Sequence, residues 1–125
     1  GGFIVYNDTT CIVRNTWNFS RFYHHESCGQ CTPCREGTGW LEKVLHRIEN
    51  GHGREEDIEL LWSIQSKIEG NTICPLGDAA SWPVAAAIRH FREEFEYHVR
   101  FPEKVKNRNH FVAEPFEKVK HLVTK

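Results

Sequence analysis

The chain has 125 residues, of which 39% are hydrophobic and 26% charged, a composition typical of one soluble globular domain. No stretch approaches the roughly 18 apolar residues of a membrane-spanning helix, so we expect no direct membrane insertion. Residues 1–99 hold 9 basic and 14 acidic side chains, a balance of −5, whereas residues 100–125 hold 7 and 3, a balance of +4. This distribution argues against nucleic acid as a partner, and the basic C-terminal part suits an acidic one.

The N-terminal residues contain a single candidate β-strand, Phe3–Tyr6. No second strand pattern follows, and a lone strand cannot satisfy its own backbone hydrogen bonds. The sequence also contains no methionine and begins with two glycines. We therefore expect an internal or C-terminal piece of a larger protein, in which residues 1–7 are the end of a truncated upstream β domain.

Four helices of similar length predict a mainly α fold, a four-helix bundle. Asp8 or Thr9 can cap the first helix, and Asn50-Gly51 ends the second. Gly70 ends the third, and Pro83 either kinks or begins the fourth. The predicted helices cover about residues 8–25, 33–50, 54–69 and 83–99, which together form a domain from 8 to 99. Residues 100–125 are predicted to be a basic arm, with one short helix at 116–123.

The strongest chemical signal is a set of four cysteines. Cys28, Cys31 and Cys34 form a C-x2-C-x2-C run, and Cys74 stands alone before a proline. This is the ligand arrangement of a cubane iron–sulfur cluster, in which each of four irons takes one thiolate. In a continuous helix the three clustered sulfurs would climb about 9 Å and diverge. The segment must therefore wrap around the cluster, as Gly29 permits.

The residues next to Cys34 suit a negatively charged cluster. With Thr32 as N-cap and Pro33 as the first helical residue, Cys34 would lie at the positive end of a helix dipole. Arg35 places a positive charge beside it. These features favour the thiolate and stabilise an anionic cluster.

Two other interpretations of the cysteines stay open. Buried cysteines often behave as small hydrophobic residues, and zinc also takes four thiolates. Zinc sites usually present two pairs of ligands, whereas here three ligands cluster and one stands alone. The spacing favours the iron–sulfur cluster, and a zinc-stabilised helical interaction module without redox chemistry is the alternative from another class.

The other metal-type residues give weaker signals. Cys11 is left over, and we expect a half-buried helix residue, with a reactive thiol as the second choice. An odd number of cysteines with four in one group indicates a reducing compartment. His24 and His25 precede the run, but four thiolates already complete the set. The other histidines show no ligand spacing, and no paired carboxylates, phosphate loop or nucleophile motif occurs, so no catalytic residue is assigned.

Three blocks of sequence resemble a known family. Residues 25–37 read HESCGQCTPCREG, residues 72–83 read TICPLGDAASWP, and residues 88–91 read IRHF. They resemble the C-terminal part of the flavin-carrying, NADH-oxidising subunit of respiratory complex I, NADH:quinone oxidoreductase, over about residues 3–96. The resemblance implies one [4Fe–4S] cluster bound by Cys28, Cys31, Cys34 and Cys74.

The resemblance also implies a function. In that family FMN and NADH are bound upstream, so no residue of this chain is assigned to nucleotide binding, and Phe3–Tyr6 would be the end of a ubiquitin-like domain. The cluster would relay electrons from NADH-reduced FMN towards quinone, without a complete catalytic site in this chain alone.

The implied partners are other subunits that carry further iron–sulfur clusters. The implied location is the cytoplasmic side, in the peripheral arm of a membrane-bound respiratory complex. The equivalent subunit of an NAD-linked hydrogenase or formate dehydrogenase shares these motifs and is the alternative within the same class.

Overall fold

The computed structural model describes residues 2–106 and 119–124, and these form a helical bundle. The predicted mainly α fold is confirmed. The helices are α1 (Ile12–Glu26), α2 (Thr32–Glu49), α3 (Glu56–Ile68), α4 (Leu76–Arg100) and the short α5 (Pro102–Lys106), followed by one 3-10 turn at Lys120–Leu122.

The four long helices pack around one apolar core. α1 lies against α2 and α4, and α3 also lies against α2 and α4. Each helix contributes an apolar stripe, and burying one large aliphatic or aromatic side chain stabilises the fold by about 1.5–3 kcal/mol. The fully buried apolar side chains include Val13, Leu41, Leu45, Ile48, Leu61, Ile68, Val84 and Phe95.

The fourth helix is longer than expected. It begins at Leu76 rather than near residue 83, and Pro83 lies inside it. Proline removes one backbone donor, but buried contacts of Ala80, Ser81 and Val84 hold the helix on both sides of it. The one non-helical residue within α4 is Phe91, with φ −131° and ψ 27°.

The first helix begins later than expected. Cys11 is its N-cap, not Asp8 or Thr9. The side chain of Asn7 accepts the backbone N–H of Thr9 at 3.2 Å, and Thr10 N–H bonds the Asn7 carbonyl at 3.2 Å. This local turn competes with the helix and delays its start.

The strand expected at Phe3–Tyr6 is not present in the part of the chain that the structure describes. The side chains of Phe3 and Val5 are 99% and 94% exposed. A strand needs a neighbour for its hydrogen bonds, and the described residues offer none. The domain boundaries at residues 7 and 99 stay predictions. Of the short helix predicted at 116–123, residues 116–118 lie outside the described residues, and the described part contains the 3-10 turn Lys120–Leu122.

The bundle has two ends that matter for function. The loops between α1 and α2 and between α3 and α4 lie at one end. The start of α1 and the final turns of α2 and α4 lie at the other, about 22 Å away along a helix of 15 residues. No helix in the described ranges is both long and apolar enough to cross a bilayer.

Candidate metal centre

The four predicted ligands lie at the loop end of the bundle. Cys28 is in the loop after α1, and Cys31 and Cys34 are at the start of α2. Cys74 is in the loop after α3, two residues before α4 begins. The fold therefore brings cysteines that are 40 residues apart in the sequence to the same end of the molecule.

The first loop turns sharply at Gly29, where φ is +79°. A side chain would be strained at this backbone angle, so glycine is required there. Arg35 reaches back from α2, and its Nη1 donates to the Gly29 carbonyl at 2.8 Å. Ser27 Oγ accepts the Gly29 N–H at 3.3 Å. The loop is thus held in the wrapped form that the cysteine spacing requires.

The cap of α2 is one residue earlier than predicted. Cys31, with φ −94° and ψ 128°, is the N-cap, Thr32 is the first helical residue and Pro33 the second. The Cys31 carbonyl accepts the N–H of Arg35 at 2.8 Å and so begins the helix. Cys34 still lies in the first turn, where the helix dipole favours a thiolate.

Cys34 is the most buried of the four cysteines. Its side chain is 8% exposed, and its Sγ lies 3.2 Å from Ser27 Oγ. A serine hydroxyl at this distance can donate to a thiolate. Cys28 and Cys74 are exposed, and Cys31 is intermediate. The site therefore has a buried floor at Cys34 and an open rim.

A backbone hydrogen bond joins the two cysteine loops. The N–H of Ile73 donates to Cys31 Sγ at 3.4 Å, across 42 residues of sequence. Thr72 Oγ1 donates to the Cys74 carbonyl at 3.0 Å and shapes the second loop. A Cβ on Gly77 would come within 2.7 Å of the Thr72 methyl group, so glycine allows this loop to fold against the start of α4.

Two helix N-termini lie at this end of the bundle. α2 begins beside Cys31 and α4 begins just after Cys74. The first N–H groups of a helix have no partner within the helix, and the dipole makes this end positive. The two N-termini form an environment suited to a large anion, and the guanidinium of Arg35, which also pairs with Glu36 at 3.2 Å, lies at the same end.

The four sulfurs do not form a compact group in the part of the chain that the structure describes. Within the described residues, no three of these four sulfurs lie within 4.8 Å of one another. Four thiolates on a single tetrahedral zinc would stand about 3.8 Å apart, from a zinc–sulfur bond of about 2.3 Å. A cubane cluster distributes its thiolates over separate irons, which spreads the ligands.

The comparison with protein families identifies the domain. Residues 14–98 match the family model for the NADH-ubiquinone oxidoreductase-F iron-sulfur binding region. The chain belongs to this family. The match covers α1 to α4 and includes all four cysteines of the loop end.

Named proteins with similar sequences support the assignment to this iron–sulfur binding region. The chain is 52% identical over 100 residues to an NADH-quinone oxidoreductase subunit of Rickettsia typhi, covering 80% of this chain and 24% of that protein. It is 50% identical over 97 residues to the mitochondrial NADH-ubiquinone oxidoreductase 51 kDa subunit of Neurospora crassa, covering 78% of this chain and 20% of that one. The chain thus spans about a quarter or less of the length of these relatives.

A solved structure shares the fold of the iron–sulfur binding region. A chain of the NAD+-reducing [NiFe]-hydrogenase in its H2-reduced state superposes with a TM-score of 0.72 and 35% identity, covering 76% of this chain and 16% of that chain. The expected resemblance is confirmed, and the cofactor of the family is a [4Fe–4S] cluster. The residues of this chain fit that cofactor by donor type, by their shared location and by the N–H groups that face the site.

A second group of metal-type side chains was missed by sequence reasoning. Cys11, Glu49 and His98 come together at the other end of the bundle and are all buried. Cys11 is therefore a buried N-cap, not a half-buried residue within a helix. Its partners are 38 and 87 residues away, so no spacing rule could have found the group.

The environment of His98 differs from that of an ordinary surface histidine. Burial acts to lower the pKa of this imidazole, but hydrogen bonds and negative charge from Cys11 and Glu49 outweigh it and raise the pKa of His98 to about 9. Its Nε2 lies 3.5 Å from Glu49 Oε2. This carboxylate is one of the two groups that raise the pKa of His98.

Proposed function

We propose that this chain is the electron-transfer domain of an NADH:quinone oxidoreductase subunit. It holds one [4Fe–4S] cluster through Cys28, Cys31, Cys34 and Cys74. The cluster accepts electrons one at a time from FMN that NADH has reduced, and passes them towards quinone. The observation that carries the proposal is the convergence of these four cysteines at one end of a bundle that matches the family over residues 14–98.

The role of the protein is to bind the cluster and to adjust its reduction potential. Hydrogen bonds to the sulfurs and nearby positive charge stabilise the reduced, more negative state and raise the potential. The N–H of Ile73 at Cys31 Sγ, the hydroxyl of Ser27 beside Cys34 and the guanidinium of Arg35 supply these contacts. The buried floor at Cys34 limits access of water to one side of the site.

The open side of the site indicates where electrons enter or leave. Cys28 and Cys74 are exposed, and the neighbouring side chain of Ile73 is 86% exposed. An exposed apolar side chain next to the exposed Cys74 suits coverage by another protein surface. We propose that other parts of the subunit and its partner subunits, which carry further clusters, cover this rim.

The remaining parts of the proposal concern the whole assembly. FMN and NADH bind to the upstream part of the parent subunit. The assembly is the peripheral arm of a respiratory complex on the cytoplasmic side of the membrane. The support for these statements is the identity of 50–52% to named subunits of NADH-quinone and NADH-ubiquinone oxidoreductases.

An NAD-linked hydrogenase subunit is the second candidate. It is favoured by the fold match to the NAD+-reducing [NiFe]-hydrogenase at a TM-score of 0.72. The identity to that chain is 35%, against 50–52% to the quinone oxidoreductase subunits, and this difference favours the first candidate. Subunits that co-purify with the full-length protein separate the two.

The proposal is tested by EPR spectroscopy of the chain after anaerobic reconstitution with iron and sulfide and reduction with dithionite. We expect a fast-relaxing signal of half-integer spin from a four-iron cluster. Cys74→Ser should abolish it. The matched control is Ile73→Ser, which introduces the same residue in the same loop at a side chain that is 86% exposed, and it should retain the signal.

Two results would overturn the proposal. One is the absence of the signal together with one zinc bound by the four cysteines, which would leave a structural zinc module. The other is a signal that survives in Cys74→Ser at full intensity, which would remove Cys74 from the ligand set.

A further inference from the structure

The end of the bundle opposite the four cysteines holds a compact group of three buried side chains. Cys11 is 9%, His98 2% and Glu49 0% exposed. Cys11 Sγ lies 3.4 Å from His98 Nε2 and 3.8 Å from Glu49 Oε2, and the last two atoms are 3.5 Å apart. A thiol, an imidazole nitrogen and a carboxylate oxygen thus form a nearly equilateral triangle.

The size of this triangle matches one face of a tetrahedral metal site. Zinc binds sulfur at about 2.3 Å and nitrogen or oxygen at about 2.0–2.2 Å, so its ligand atoms stand about 3.3–3.6 Å apart. The measured edges of 3.4, 3.5 and 3.8 Å differ from these values by about 0.2 Å or less. As hydrogen bonds, the two edges that end on Glu49 are long.

The tautomer of His98 is set for metal binding by its other nitrogen. His98 Nδ1 lies 2.8 Å from the backbone carbonyl of Glu94 and donates to it, since a carbonyl can only accept. In the neutral ring the Nε2 lone pair then points at Cys11 and Glu49. A histidine that ligates a metal almost always donates its other N–H in this way.

The position of the Cys11 thiol also suits metal binding. Cys11 is the N-cap of α1, and its Sγ accepts the N–H of Arg14 at 3.4 Å. Metals bind cysteine as the thiolate, and the N-terminus of a helix is the end at which negative charge is stabilised. The neighbouring N–H of Ile12 is fixed by Glu94 Oε2 at 3.0 Å, so the start of the helix is held in place.

We propose that Cys11, Glu49 and His98 bind one divalent transition-metal ion of the zinc class. A thiolate, a carboxylate and a neutral imidazole around a doubly positive ion give a site without net charge, which reduces the cost of burying the carboxylate. Thiolate and imidazole ligands select zinc over magnesium or calcium. A tetrahedral ion completes its shell here with one water molecule or one further nitrogen or oxygen ligand.

The metal competes with protons for this site. Zinc binds the thiolate and the neutral imidazole, so binding releases protons and the affinity for zinc falls at acid pH.

This site is separate from the four cysteines. It lies at the far end of helices α1, α2 and α4, about 22 Å from the cysteine loops. It offers one thiolate rather than four. Loss of one site should therefore leave the other occupied.

The test adds zinc to the complete chain with its iron–sulfur cluster already reconstituted, followed by dialysis under argon. We expect one zinc per chain, and zinc-edge X-ray absorption should show one sulfur and three nitrogen or oxygen neighbours. Zinc held at the four-cysteine site would show four sulfurs instead. The measurement therefore reports the site as well as the amount.

Two variants and one matched control complete the test. Cys11→Ala and His98→Gln should each lose the zinc while the iron content stays unchanged, which shows that the bundle is folded. His90→Gln changes an exposed histidine on the same helix and should retain one zinc. The proposal is overturned if the wild-type chain retains no zinc, if its zinc has four sulfur neighbours, or if both variants retain it.

Discussion

The two ends of the bundle use the same residue type in opposite surroundings. At the loop end, Cys28 and Cys74 are exposed. The groups there that stabilise negative charge are backbone N–H groups, helix N-termini and Arg35. At the far end, Cys11 is buried and lies within 3.8 Å of both His98 and Glu49.

The difference shows how position determines the chemistry of a thiol. An exposed group of thiols beside positive helix ends can receive a large anionic cofactor. A single buried thiol must have its polar neighbours provided by the fold, because an unpaired charge there is costly. Changes at the far end should therefore act mainly on stability, whereas changes at the loop end should also act on the cluster.

The largest effect on stability is expected at Glu49. Glu49→Ala removes the buried carboxylate and leaves the imidazolium of His98 uncompensated, which should cost about 3–5 kcal/mol. Guanidinium unfolding of the metal-free chain, followed by circular dichroism, measures the free energy of unfolding. The control on the same helix is Glu42→Ala, which breaks the exposed pair with His24 and should cost about 1 kcal/mol or less. Equal costs would contradict the contrast between the two ends.

The next effect is a pH dependence due to His98. Its pKa is about 9 in the folded chain against 6.5 in an ordinary environment. A raised folded pKa contributes stability that is fully present below pH 6.5 and is lost as pH rises to about 9. The loss should amount to about 3 kcal/mol in the metal-free chain, from a shift worth about 1.4 kcal/mol per unit.

Unfolding curves at a series of pH values measure this loss. His98→Gln should remove the slope between pH 6.5 and 9, and His90→Gln should leave it in place. A wild-type chain whose stability does not change over this range would show that the pair is not ionised as described.

A smaller effect is expected at Gly77, at the loop end. Gly77→Ala places a methyl group against Thr72 and forces the Cys74 loop outward, at a cost of about 1–3 kcal/mol. Because this loop carries a proposed ligand, the iron content after reconstitution should fall as well. The double variant with Thr72→Ala removes the Thr72 side-chain atoms that the new methyl group would meet. It should recover part of the lost stability and part of the lost iron content. A single variant that keeps full iron and full stability would show that the loop adapts freely.

The smallest effect is expected at Arg35. Arg35→Gln removes a positive charge beside the cluster and should make its reduction potential more negative by on the order of tens of millivolts. The side chain is 47% exposed, so solvent screens part of its charge. Redox titration by EPR measures the change. Arg35→Lys keeps the charge and should restore most of the potential, whereas an equal shift in both variants would assign the effect to the hydrogen bond with Gly29.

Sequence alone determined the class of fold and the four proposed ligands of this protein. Apolar residues at helical spacing predict a helix from a few turns of sequence. The C-x2-C-x2-C run places three of the proposed ligands within seven residues. These patterns are local, so they can be recognised in the sequence without knowledge of the fold. The helix ends were predicted less well. The side chain of Asn7 forms a turn that delays the start of α1. Cys31 rather than Thr32 is the N-cap of α2, and no side chain makes a capping hydrogen bond there.

Which distant side chains meet depends on the packing of the helices. Nothing local in the sequence connects Cys11 with Glu49 and His98, which are 38 and 87 residues away. Their meeting depends on the lengths of α1, α2 and α4 and on the side of each helix that faces the core. The same packing brings Ile73 to Cys31, 42 residues apart, and so joins the two cysteine loops. Packing of whole helices sets these contacts, and that information is spread over the entire core rather than held in any short motif.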